Sequence, residues 1–103
     1  MHSLIFDPND YIFDNESILL SENVKMFSYP RDENVKLVLS DKKICLGGKN
    51  RLIIVPLKQI VRISMSDVGY TIDTSKSEAF TLRYSDDPSV HIRIVQEIAK
   101  YII

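Results

Sequence analysis

The chain has no tryptophan, one cysteine, two histidines and three glycines among its 103 residues. Cys45 stands alone, so no internal disulfide can form, which suits a reducing, cytoplasmic setting. His2 and His91 have no Cys or carboxylate at ligand spacing, and the sequence offers no metal site. No apolar run approaches the roughly 18–20 residues that cross a bilayer. The opening Met1-His2-Ser3-Leu4-Ile5-Phe6-Asp7 lacks the basic region and long apolar stretch of a secretory signal. Gly47-Gly48-Lys49 has some likeness to a phosphate loop, but the spacing, the Ser or Thr after the lysine and the following helix are all missing. No nucleophile stands in a recognisable catalytic pattern, and Cys45 in Ile44-Cys45-Leu46 reads as a buried strand thiol. These absences point to a protein that is not an enzyme, with no cofactor and no small-molecule substrate.

What is present is a series of short apolar runs separated by turn formers. Val35–Ser40, Lys43–Leu46 and Arg51–Pro56 read as consecutive antiparallel strands. Asp41-Lys42 and Gly47-Gly48-Lys49-Asn50 read as the turns between them, the glycines accepting positive φ. Leu57–Gln59 makes a corner before a strand at Ile60–Met65, and Tyr70–Thr74 and Glu78–Tyr84 follow. Ile18–Tyr29 reads as a long first strand with Leu20, Val24 and Met26 on one face and a bulge at Glu22-Asn23. The period then changes. Asp87 before Pro88 is a helix start, and Ile94, Val95, Ile98, Ala99 and Ile102 form one apolar stripe. The expected helix buries Ile94, Ile98 and Ile102 against Leu37, Leu39, Phe80 and Leu82. A mainly β protein with about seven strands and one C-terminal helix is predicted.

The net charge of −1 hides an asymmetry. Residues 1–35 carry two basic groups against seven acids, whereas residues 36–62 carry seven basic groups against Asp41 alone. Lys42, Lys43, Lys49 and Arg51 are the one constellation with binding chemistry for an anionic partner. They equally suit outward-facing turn and strand positions, balanced by the acidic N-terminal segment. Nucleic acid is disfavoured, because the basic segment holds no aromatic residue on which bases could stack.

Several segments carry a family resemblance. They are Glu16-Ser17-Ile18-Leu19 followed by Asn23-Val24, the Lys36–Ile44 hairpin, the corner Ile54-Val55-Pro56-Leu57-Lys58-Gln59-Ile60, and Phe80-Thr81-Leu82-Arg83. With the order of strands and final helix, they resemble the pleckstrin-homology-like superfold, and within it the GRAM and bacterial PH-like domains. The hairpin and the Pro-Leu corner are also similar to those of archaeal taxis adaptors, which are longer. The resemblance covers residues 16–103, and residues 1–15 form an N-terminal arm with no counterpart. The helix lacks the Trp that many PH domains place there. The resemblance implies a strongly bent antiparallel sheet, or partly open barrel, capped by the helix. It also implies that the loops Pro30–Asn34 and Gly47–Asn50 would ring any headgroup pocket. The first of these is acidic on balance, through Asp32 and Glu33.

Two functional expectations result. The leading one is a protein-interaction or oligomerisation module of the adaptor type, acting on another protein or a second copy. Leu4, Ile5, Phe6, Tyr11, Ile12 and Phe13 of the arm are costly to leave in water, so they are expected to pack first on their own domain, covering an open sheet edge, and otherwise to serve as the apolar interface to a second copy or another protein. The alternative is a peripheral module at the inner membrane surface, binding anionic lipid through the basic 36–62 segment.

Overall fold

The apolar runs become strands, and the strands form one sheet. The computed structural model describes residues 5–28, 31–49, 51–84 and 88–100 of the chain. Seven strands are present: β1 (Ile18–Met26), β2 (Glu33–Ser40), β3 (Lys43–Gly47), β4 (Leu52–Pro56), β5 (Ile60–Met65), β6 (Gly69–Thr74) and β7 (Ala79–Arg83). All pairs are antiparallel, in the order β4-β3-β2-β1-β7-β6-β5, and one helix, α1 (Pro88–Ala99), follows. The sheet does not close into a barrel, since β4 and β5 are its two free edges. Yet only the 3-10 turn Leu57–Gln59 separates these edges in sequence. A sheet whose opposite edges are joined by three residues must bend strongly, and the bend encloses the core.

Period-2 alternation decides what enters that core. Leu37, Leu39, Ile44 and Leu46 point inward from β2 and β3, and Ile72, Phe80 and Leu82 from β6 and β7. Ile94 and Ile98 of α1 are fully buried in the same cluster, as the stripe predicted, while Ile102 and the capping Asp87 lie outside the described residues.

Three local expectations change. The irregularity in β1 falls between Ile18 and Leu20, and Glu22 and Asn23 pair regularly with Leu37 and Lys36. Glu22 can therefore sit on the inward row and remain exposed without a bulge: β7 pairs with β1 only at Met26, which leaves the rest of that side open. β1 is also shorter than Ile18–Tyr29, ending at Met26. Finally, no glycine adopts positive φ; Ser77 does, at 63°. Gly47 lies within β3, where a Cβ would overlap the carbonyl oxygen of Phe6. Close approach of the arm, not turn geometry, is what requires glycine there.

Candidate functional site

The basic constellation is divided by the fold. Lys42 and Lys43 stand at the β2–β3 turn, while Lys49 and Arg51 flank the β3–β4 turn at the opposite end of β3. Lys43 is buried and pairs with Glu16 at 2.9 Å. Arg51 pairs with Glu33 at 2.6 Å and donates to Ser28 Oγ at 3.3 Å, so the β1–β2 and β3–β4 loops are tied by an ion pair. Arg83 is held by Asp32 at 3.0 Å, Arg62 by Asp73 at 2.9 Å and Lys36 by Asp7 at 3.8 Å. Lys42, Lys49 and Lys58 remain exposed, with no ion pair among the described residues. Lys49 stands at the far end of β3 from Lys42 and Lys58, whose segments meet where the Leu57 N–H donates to the Lys42 carbonyl at 2.9 Å, so the three do not form one ring.

The arm lies across the outer side of β2 and β3. Asp7 caps the 3-10 turn Pro8–Tyr11, its Oδ1 accepting from the Asn9 N–H. The Phe6 N–H donates to the Gly48 carbonyl at 3.2 Å. Phe6, Tyr11 and Ile12 are half-buried, whereas Ile5 and Phe13 are 72% and 68% exposed; Leu4 lies outside the described residues. The Phe13 ring covers the Lys43 ammonium, 3.9 Å from the ring centre. Beneath it, Glu16 Oε2 accepts from Ser40 Oγ at 2.6 Å and Oε1 accepts from the Phe13 N–H at 3.3 Å. Burial works to raise the Glu16 carboxyl, but the Ser40, Lys43 and Phe13 hydrogen bonds outweigh it and hold it below its ordinary value. Burial pushes the Cys45 thiol up, which disfavours the thiolate.

A third feature escaped the sequence reading. Met65 at the end of β5, Tyr84 after β7, and Pro88, His91, Ile92, Val95 and Gln96 of α1 line a cleft of about 290 Å³. Its walls are almost wholly apolar, and no charged side chain lines it. Met65 is 61% and Ile92 53% exposed. The floor is rigid. Tyr70 Oη and His91 Nδ1 share a buried hydrogen bond of 2.8 Å, and the His91 ring meets Tyr70 and Tyr84 edge-on. Burial, reinforced by Tyr84, drives the Tyr70 phenol far above its usual range, so it stays protonated. The available signal was Ile92. It lies off the Ile94–Ile98 stripe, and with Pro88, Val95 and Gln96 it makes a second helical row at i, i+4, i+7 and i+8.

The fold and the cleft define a small antiparallel β protein with a helix against its open side and a concave apolar surface. Among the described residues, no group of three His, Cys, Asp or Glu could hold a metal ion. No helix among them is long and apolar enough to cross a membrane. No protein-family model matches the chain, and no curated protein matches it. A solved structure, that of the C-terminal domain of an unknown protein from Leishmania infantum, is similar, with a TM-score of 0.67 and 13% identity over 82% of this chain and 85% of that one. A likeness at that identity concerns the fold alone.

Proposed function

We propose that this chain is a non-catalytic protein-interaction module on a pleckstrin-homology-like framework. It takes an extended segment of another protein along the free edge of β5 and receives one apolar side chain in the cleft beside α1. The observation that carries this reading is the meeting of an unpaired strand edge with an uncharged apolar cleft. An open edge offers backbone N–H and C=O groups to an added strand, and a neighbouring pocket selects among alternate side chains. The PH-like framework is supported by the strand count, the bent open sheet and the position of the helix after the last strand. The adaptor role is further supported by the absence of any charged group from the cleft lining. The anionic-membrane alternative has less support, because Lys36, Lys43, Arg51 and Arg62 of the basic segment are each paired with a carboxylate.

Selection from a library of random ten-residue peptides, followed by calorimetry and amide-shift mapping, tests the proposal. The expected ligands are extended, with a large apolar residue, and shift the amides of Val61–Met65. Ile92→Asp should weaken them at least tenfold, because a carboxylate in the apolar cleft would lose its hydration. Ligands that map elsewhere and ignore Ile92→Asp would overturn the reading, as would a selection that yields none.

A further inference from the structure

The outer side of β2 and β3 holds a second apolar surface, distinct from the cleft. Val38 and Cys45 pair across the ladder and alternate with the core residues Leu37, Leu39, Ile44 and Leu46, so they point away from the core. Both are nevertheless 0% exposed. The arm lies over this face. Gly47 provides the notch in which it sits, since a Cβ there would overlap the Phe6 carbonyl oxygen and stand 2.9 Å from Pro8 Cδ.

The seat is also cationic. Lys36, opposite Gly47, and Lys43 share the outward row with Val38 and Cys45, one toward each end of β3. The arm segment answers each with a carboxylate, Asp7 for Lys36 and Glu16 for Lys43, and lays the Phe13 ring over Lys43. Part of the charge asymmetry of the sequence, Asp7 and Glu16 against Lys36 and Lys43, is here a complementarity between an occupant and its seat. The grip between the two ends is light. Among the described residues, one backbone–backbone hydrogen bond joins residues 5–13 to the sheet, and Ile5 and Phe13 stay mostly in solvent.

We infer that the outer face of β2 and β3 is a recognition site for an acidic, aromatic-bearing segment of another protein, and that residues 5–16 occupy it as an internal stand-in. A partner segment that supplies carboxylates to Lys36 and Lys43 and an aromatic ring over Lys43 would replace the arm. This inference is independent of the cleft, because it uses the opposite side of the sheet and none of the cleft residues.

The test uses the full chain, a fluorescent peptide with the sequence of residues 1–17 as probe, and the single Cys45 as reporter. In the wild type, Cys45 should react slowly with maleimide and the peptide should not bind. Phe6→Gly with Asp7→Lys loosens the arm without touching the seat. That variant should label Cys45 at least tenfold faster and bind the peptide, with affinity falling as salt rises. Adding Gly47→Ala, which fills the notch, should abolish peptide binding, as should replacing Asp7 and Glu16 by Lys in the peptide. If the double variant loses cooperative unfolding, Asp7→Lys alone serves in its place. Faster labelling without peptide binding would overturn the recognition site. Unchanged Cys45 protection would overturn the arm as its cover. A wild-type dimer whose Cys45 protection falls on dilution would show a neighbour's arm in the seat and overturn the internal arrangement.

Discussion

Glu16 concentrates more interactions than any other charged side chain at the arm–sheet junction. Its side chain is 2% exposed, and its carboxylate binds Ser40, Lys43 and the Phe13 backbone at once. A charge this enclosed is stable only while its partners remain, and removing one member of a buried pair typically costs about 3–5 kcal/mol. Glu16→Gln should therefore lower stability by about 3 kcal/mol at pH 7 in a denaturant titration. Because the folded carboxyl is held below its ordinary value of 4.5, its contribution is complete above that value and is lost as the pH falls through the folded one. The difference between wild type and Glu16→Gln should narrow as the titration moves below pH 4.5. A difference that does not change with pH would mean that the pair contributes geometry without charge stabilisation. Ser40 was legible as part of a hairpin motif, but nothing in its spacing from Glu16, 24 residues away, marked them as partners.

At the scale of the element, α1 has two faces with separate tasks. Ile94 and Ile98 enter the core at full burial, Ile92 borders the cleft, and Val95 packs against the core while lining the cleft as well. Truncating a fully buried aliphatic side chain leaves a cavity that the surroundings fill only in part, so Ile98→Ala should cost about 2–5 kcal/mol. Ile92→Ala, on the exposed row, should change stability by less than about 0.5 kcal/mol. Thermal or denaturant unfolding of the two variants measures the separation. Equal losses would mean that the helix is anchored on both rows and that the cleft is part of its packing. The inward row was legible because its period is helical and its residues are β-branched aliphatics. The cleft was not legible, because it needs Met65 and Tyr84 from distant segments to stand beside the helix.

For the whole molecule, charge is arranged so that the acidic segment pairs with part of the basic one. Asp7, Glu16 and Glu33 lie before residue 36 and pair with Lys36, Lys43 and Arg51 from that residue onward. Screened attraction to an anionic surface depends on several cations facing it together, and of the unpaired Lys42, Lys49 and Lys58, Lys49 stands at the opposite end of β3 from the other two. The expected outcome of sedimentation with strongly anionic vesicles at low salt is that the protein stays in the supernatant. Co-sedimentation that reverses with salt and is lost in a variant with Glu at Lys42, Lys43, Lys49 and Arg51 would restore the membrane reading.

The sequence by itself determined the class of fold: the strand runs, the two hairpins and corner of the middle segment, and the helix after Pro88. Those features follow from periodicity and turn chemistry, which act between residues a few positions apart. Only the tertiary structure decided how the charges pair, why Gly47 must be glycine, and where the concave surface lies. Lys43 read as a candidate contact for an anionic partner, with nothing to mark Glu16 as its carboxylate, until the fold brings the two together under Phe13. Gly47 read as a turn former until the Phe6 backbone was seen against it. The cleft arises because a bent sheet with two free edges leaves space between β5 and the helix, and that space depends on the curvature of the whole sheet.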